Sequence, residues 1–238
     1  WLFYQWRLHR MRQQAEQENA TNKQFAELEL QALQAQMNPH FVFNSLSAIQ
    51  YFIAANEKQQ ADNYLSKFAM LMRQFLESSK SRYLNLHQEL HLIKLYIELE
   101  QMRFSNRFEA SVTLDPDINP YTTLIPTMLL QPFVENAITH GLFHKMTDGK
   151  LNLHIAKDEN QALICTLEDN GIGRTAAKNI QQKAGKAYRS RAMQITSERL
   201  HALRVIEGYD VHVEVEDLKN TDGSAAGTRV KITVPEIE

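Results

Sequence analysis

The sequence predicts an α+β protein, a helical hairpin followed by a sandwich of helices on a mostly antiparallel sheet. Up to about residue 104, apolar residues recur at helical spacing with few breaks. From Glu109 the pattern alternates residue by residue, as in half-buried strands. Beyond that point strand-like and helix-like segments are mixed without a regular β–α repeat, which favours α+β over a parallel α/β sheet. At 238 residues the chain has ample material for a core and fits one large or two small domains. The change of periodicity sets a boundary near residue 105.

In the first region, Trp1-Leu2-Phe3-Tyr4-Gln5-Trp6 is strongly aromatic and is followed by Arg7, Arg10 and Arg12, with no acid before Glu16. Aromatics followed by a basic cluster are expected either at the cytoplasmic edge of a membrane segment lying upstream or at the start of an amphipathic helix in a soluble protein. Residues 13–35 hold no Gly or Pro. Phe25, Leu28, Ala32 and Ala35 form a spaced apolar seam suited to pairing with a second copy. The helical pattern then continues past Pro39 through Phe43, Leu46, Ile49 and Ile53. A turn at Asn56-Glu57-Lys58 leads to a second helix over about Gln59–Ser79, with Tyr64, Leu65, Phe68, Leu71, Met72, Phe75 and Leu76 as its apolar face. Two such helices make a thin core, so a homodimeric four-helix bundle is expected.

Leu86–Phe104 reads as a third helix. Strands are expected at 109–114, 151–156, 162–168, 211–217 and 228–234, with Asp115-Pro116-Asp117 as a turn and helices near 127–140 and 192–206. Composition is that of an ordinary soluble protein, 43% hydrophobic and 23% charged. The net charge of −2 gives no global bias toward nucleic acid. The single cysteine, Cys165, excludes an intrachain disulfide and a cysteine-cluster zinc site, and its apolar surroundings predict a buried strand position.

His40 lies in Gln36-Met37-Asn38-Pro39-His40-Phe41-Val42-Phe43-Asn44, a polar imidazole in an apolar helical stretch directly after a proline. Two readings stand at this point: a core histidine beside a kink, or a nucleophile displayed on a helix. About a hundred residues downstream, three short motifs fall in order. In Leu130-Gln131-Pro132-Phe133-Val134-Glu135-Asn136-Ala137-Ile138-Thr139-His140-Gly141, Asn136 and His140 are four apart and stack on adjacent turns of a helix. An Asn carbonyl is a hard oxygen ligand suited to Mg²⁺. Asp169-Asn170-Gly171-Ile172-Gly173 follows an apolar strand, where an aspartate can accept a hydrogen bond from an exocyclic amine and Gly171 and Gly173 allow close backbone approach. Gly223-Ser224-Ala225-Ala226-Gly227-Thr228 precedes the last strand. Residues 174–191, with Arg174, Lys178, Lys183, Lys186, Arg189 and Arg191, read as a mobile basic lid over phosphates.

Asn-bearing helix, Asp-x-Gly-x-Gly turn, basic lid and Gly-Thr strand together resemble the N, G1 and G3 boxes of the GHKL (Bergerat-fold) ATPases. The Asn38-Pro39-His40-Phe41 segment, Leu130-Gln131-Pro132 through Gly141, and Tyr96-Ile97-Glu98 through Arg103-Phe104 resemble LytS-type sensor histidine kinases, over about 30–238. That resemblance implies a juxtamembrane signalling helix (1–30), dimerisation and phosphotransfer helices (31–104) and an ATP-binding catalytic domain (105–238). It implies ATP as substrate and Mg²⁺ as cofactor, His40 as phosphoacceptor, Asn136 as the metal ligand and Asp169 as the adenine reader. Glu135 would orient the metal's water or act as base, and Asn44 would position the phosphoryl group. His140, Gly171, Gly173, Arg189, Arg191, Gly227 and Thr228 would shape the nucleotide site. The implied partners are a second copy and the receiver domain of a response regulator, in the cytoplasmic portion of a bacterial inner-membrane protein. No nucleic-acid partner is expected.

The pattern departs from the family in two places. Ser190-Arg191-Ala192-Met193-Gln194-Ile195 stands where a second glycine box is usual and contains no glycine, and Thr139 stands where many relatives carry lysine. The first departure motivates an alternative, a catalytically weak dimerisation and signalling module. A second alternative is a GHKL ATPase, against which Pro132 occupies the position where a hydrolytic carboxylate would stand.

Overall fold

The computed structural model describes residues 1, 5–7, 9–10, 39–145, 147–183, 200 and 209–237, with backbone alone for Pro39, His40 and 181–183. The expected seam at 13–35, the glycine-poor segment at 190–195 with Arg189 and Arg191, and most of the helix expected at 192–206 lie outside the described residues.

Helix α1 spans Pro39–Ala54 and α2 spans Lys58–Ser78. The tight connection between them passes through Asn56 with φ 59°, a left-handed position that asparagine tolerates. The apolar residues of α2 do not form one face. Tyr64, Leu71 and Phe75 are buried toward α1 and the third helix, whereas Leu65, Met70 and Leu76 are exposed. On α1, Phe41, Ala48, Ile49 and Phe52 are buried while Phe43, Leu46, Tyr51 and Ile53 are exposed. The hairpin therefore has two apolar sides, and a single chain covers one.

Strand β1 (Tyr83–Asn85) leads into α3 (Leu86–Arg103), which opens with a capping box. The Asn85 side chain accepts from the Gln88 N–H, and the Gln88 side chain accepts from the Asn85 N–H. α3 is buried on most of its circumference because it packs on the hairpin on one side and on the sheet half on the other. Strands β2 (Phe108–Leu114), β4 (Gly149–Lys157), β5 (Leu163–Asp169), β6 (His212–Lys219) and β7 (Ala225–Val234) form one sheet in the order β2-β4-β5-β7-β6. A short β3 (Leu124–Pro126) pairs with β1 in a separate two-stranded ribbon. That ribbon was not expected, since three residues per strand leave no readable period.

The sheet is mixed. β2 runs parallel to β4 and the other neighbours are antiparallel. A parallel pair needs a long crossover, and this one runs through β3 and helix α4 (Gln131–Asn136), so the Asn-bearing helix is carried across the sheet. Leu151, Leu153 and Ile155 on β4 face inward with Leu163, Cys165 and Leu167 on β5 and Ile232 and Val234 on β7. The opposite face is polar, with Ser111 donating to Asn152 and Arg229 bridging Glu168 and Glu216. One dry face and one wet face give the two-layer α+β arrangement that was expected. Cys165 is fully buried, as expected, and burial pushes its thiol pKa up. Among the described residues no helix is long and apolar enough to cross a membrane.

Two expectations are corrected. The helix expected at 127–140 begins at Gln131 and continues beyond Asn136 as a π-helical turn over Ala137–Leu142. Its start is set from outside. The buried Glu89 carboxylate on α3 accepts from the N–H groups of Met128 and Leu130, which satisfies donors at the helix start and holds Met128 at φ 54°. The basic stretch read as a mobile lid is, over Arg174–Lys183, a helix (α5). Its first residue, Arg174, makes a two-pronged contact to Asp217 of β6 at 2.6 and 2.7 Å.

Candidate functional site

The site is built around Asp169. Alternation along β5 turns Leu163, Cys165, Leu167 and then Asp169 inward, so the carboxylate ends an otherwise apolar row. It is paired with Leu151 on β4 and Thr228 on β7. Burial pushes its pKa up to about 6, against the N–H groups of Gly171 and Thr228, which hold the ionised form. The Gly171 bond is 2.8 Å long, to Oδ1.

Three glycines let the backbone close on this carboxyl. A Cβ on Gly141 would lie 2.8 Å from Asp169 Oδ1. One on Gly171 would lie 2.4–2.6 Å from Gly141 backbone atoms, and one on Gly227 only 1.8 Å from the Asp169 carbonyl oxygen. Gly227 also has φ 136°, which side chains rarely adopt. The end of the π-helical turn, the Asp-Asn-Gly turn and the start of the last strand thus meet at one point. Gly173, at φ 77°, turns the chain into α5. Asn170 braces the neighbouring loop: its side chain accepts from Lys150 N–H and donates to the Asp148 carbonyl, while Lys145 Nζ donates to the Asn170 carbonyl at 2.7 Å.

Asn136 lies five residues before Gly141 and His140 directly before it, both half-buried. The Asn136 amide nitrogen donates to the Pro132 carbonyl at 2.7 Å, which leaves Oδ1 as the atom without a protein donor among the described residues. A hard cation needs that atom, so the residue fits Mg²⁺. Between Asn136 and His140 the backbone is π-helical, with Phe143 N–H donating to the Ile138 carbonyl five residues back. Such turns recur at functional sites. Glu135, adjacent in sequence, has different surroundings. It is buried, accepts from Gln131 Nε2 at 3.3 Å, and with Glu100 adds to the burial that raises the pKa of the Tyr96 phenol on α3.

The structure therefore gathers Asp169, Gly171, Gly227 and Thr228 at one point, with Asn136 and His140 on the helix that ends there. His40 and Asn44 belong to the other half, on α1. Asn44 is half-buried, and of His40 the helical backbone position is described. Arg189 and Arg191 lie outside the described residues. Sequence reasoning missed Gly141 as a spacing residue, Lys145 and Asn170 as a loop brace, and Glu89. The available signal for Glu89 was an acid inside an apolar helix, a position where a carboxylate is rarely buried unless paired.

The histidine kinase family matches residues 28–108 of this chain. The Sensor protein LytS of Staphylococcus haemolyticus is 33% identical over 152 residues, 64% of this chain and 25% of that protein. The Sensor histidine kinase YesM of Bacillus subtilis is 29% identical over 209 residues, 88% of this chain and 33% of that protein. The Sensor histidine kinase YpdA of Escherichia coli is 34% identical over 145 residues, 61% of this chain and 25% of that one. The chain thus spans a quarter to a third of the length of these relatives. With a family match on the helical half and alignments that reach beyond it, the chain is similar to LytS-type sensor histidine kinases.

Proposed function

We propose that this chain is the kinase portion of a two-component sensor: it binds ATP at the Asp169 site, phosphorylates its own His40, and passes the phosphoryl group to an aspartate of a response regulator. The observation that carries this reading is the buried carboxyl of Asp169, enclosed by Gly141, Gly171 and Gly227 at the end of the Asn136 helix. The ionised Asp169 accepts a hydrogen bond from the adenine amino group. The glycines let the backbone close around Asp169, with Thr228 paired to it across the sheet and His140 directly before Gly141.

Mg²⁺, when bound through Asn136 Oδ1, neutralises charge on the phosphates. Every other role falls to the protein. A ring nitrogen of neutral His40 attacks the γ-phosphorus, the bond to the β,γ-bridging oxygen breaks, and ADP leaves with that electron pair. Asn44, one turn after His40, positions the phosphoryl oxygens. Glu135 supports Asn136 rather than acting as a base toward His40, because it is buried on the α3 side with Gln131. Arg189 and Arg191 complete the phosphate contacts. In the last step the His40 phosphoramidate breaks and the receiver aspartate takes the phosphoryl group.

Exposed apolar stripes on α1 (Phe43, Leu46, Ile53) and α2 (Leu65, Leu76) support a four-helix homodimer. The aromatic-then-basic start supports a position at the cytoplasmic face of a membrane. Residues 1–30, 31–104 and 105–238 are then the signalling, phosphotransfer and ATP-binding regions.

The test is incubation with γ-labelled ATP and Mg²⁺, for the wild type and His40→Gln. Acid-labile, base-stable label that disappears in the variant supports the kinase. Steady ATP hydrolysis indifferent to the substitution favours a hydrolase. Nucleotide binding without label favours a signalling module.

A further inference from the structure

The described interface between the helical hairpin and the Asn136 helix is not purely apolar. Phe41, the residue after His40, packs its ring at a tilt against Tyr96 of α3, with centroids 5.0 Å apart, and against Phe68 of α2 at 6.1 Å. Tyr96 is 2% exposed on the helix that packs against the Asn136 helix, and Glu135 and Thr139 of that segment both act on its hydroxyl. One helical turn further along α3, Glu100 is 1% exposed and pairs with Arg103. Its Oε1 and the Arg103 Nε are buried without a hydrogen-bond partner among the described residues. Both charges act on Tyr64 of α2, whose hydroxyl donates to Ser45 of α1 at 3.2 Å. A run of buried polar side chains thus crosses from α1 through α2 and α3 to the Asn136 segment.

Such a run is a costly way to fill a helix interface. An apolar set of similar volume packs as well, and an ion pair with unmet hydrogen-bonding atoms loses much of its attraction to desolvation. Its distinctive property is directional. Apolar side chains tolerate a sliding helix, whereas hydroxyls and a guanidinium–carboxylate pair hold one register. The register held here is that of the His40 helix against the Asn136 helix. Autophosphorylation requires the acceptor nitrogen and the γ-phosphorus to approach within about 3–3.5 Å in line, a geometry sensitive to 1 Å errors.

We infer that Tyr96, seated between Phe41 and Thr139 and backed by the buried Glu100–Arg103 pair, is a positioning residue that sets the phosphoacceptor helix against the Asn136 helix. This rests on the kinase reading above. Tyr96 is not among the residues assigned above to the nucleotide or to the transfer step. It acts through Phe41 on one side and Thr139 on the other, so it should govern the transfer step and leave ATP binding alone.

The test uses Tyr96→Phe, which keeps the ring and removes the hydroxyl, with Glu100→Gln as a second variant that keeps the side-chain shape. Two readouts are taken: autophosphorylation as a function of ATP concentration, and amide hydrogen exchange over residues 41–54 with and without ATP and Mg²⁺. The expected result is a tenfold or greater fall in the maximal labelling rate, with KM for ATP within twofold of wild type. In addition, nucleotide should slow exchange in α1 of the wild type and do so less in both variants. A labelling rate within twofold of wild type in folded Tyr96→Phe overturns the inference, as does nucleotide-insensitive exchange in wild-type α1. If the wild type takes no label on His40 yet ATP still slows α1 exchange in a Tyr96-dependent way, the kinase reading falls and the coupling stands.

Discussion

Gly141→Ala tests the geometry of the Asp169 site most directly. The new Cβ would lie 2.8 Å from Asp169 Oδ1, 3.2 Å from Cγ and 3.5 Å from Oδ2. Ordinary contact begins at 3.4 Å, so the carboxyl must retreat by about 0.6 Å. It is not free to swing aside, because Oδ1 holds the Gly171 N–H and the strand on either side is fixed by β4 and β7. Overpacking of this kind costs about 1–3 kcal/mol of stability. A hydrogen bond from the adenine amine to this oxygen lengthens from ~2.9 Å to about 3.5 Å, at the edge of any useful bond. Loss of a hydrogen bond to a charged group, worth about 1.5–3 kcal/mol, raises Kd for ATP by roughly ten- to a hundredfold. Calorimetric titration with a non-hydrolysable ATP analogue and Mg²⁺ measures this, and a thermal melt confirms that the variant is folded. Gly223→Ala is the control: nothing lies within 4 Å of its added Cβ, so it suffers only its φ of 81° and should bind ATP as the wild type does. A folded Gly141→Ala protein that binds ATP within twofold of wild type would refute the proposed placement of the base against Asp169.

Further outcomes follow from the same structure. Asp169 titrates near 6, and its ionised form is the acceptor, so ATP affinity should fall as pH drops through 6, by about tenfold at pH 5. Titration of Asp169→Asn across the same range should give weaker binding that lacks this component. Glu100 is held at about 7 by burial, with Arg103 pulling it down, against an ordinary value of 4.5. Its raised pKa contributes stability that is complete below 4.5 and lost as pH rises through 7, a fall of about 2 kcal/mol between pH 5.5 and 8.5. Urea unfolding should show a flatter pH dependence for Glu100→Gln than for the wild type. Glu89→Ala strands two buried N–H groups, each costing about 1–3 kcal/mol, and should lower Tm sharply while speeding exchange at Met128 and Leu130. Finally, Leu65→Lys combined with Leu76→Lys places charge on the exposed stripe of α2 and should convert a dimer to a monomer in sedimentation. An unchanged dimer would move the interface elsewhere.

Much of this protein is legible from order and period alone. The helical hairpin, α3 and the five strands of the main sheet follow from 3.6- and 2-residue spacing, which marks the elements even where, as on α2, the apolar residues are not all buried. Asp169, Gly171 and Asn136 could be singled out because their chemistry is local: an aspartate at a strand end, a glycine turn, an amide on a helix. What a one-dimensional pattern does not carry is which distant groups touch. Glu89 starts the Asn136 helix from 39 and 41 residues away, so propensity alone placed that start too early. Gly141 matters because a carboxyl 28 positions downstream folds back onto it, and the basic stretch after Gly173 became a helix anchored to Asp217. Glu135 and Asn136 are neighbours in the chain, yet one is buried and bonded to Gln131 while the other keeps its oxygen without a donor among the described residues. Local spacing determined the elements and the kind of chemistry. Tertiary packing decided which polar atoms are already satisfied and which remain to meet a ligand, since burial and hydrogen bonding depend on residues far apart in sequence.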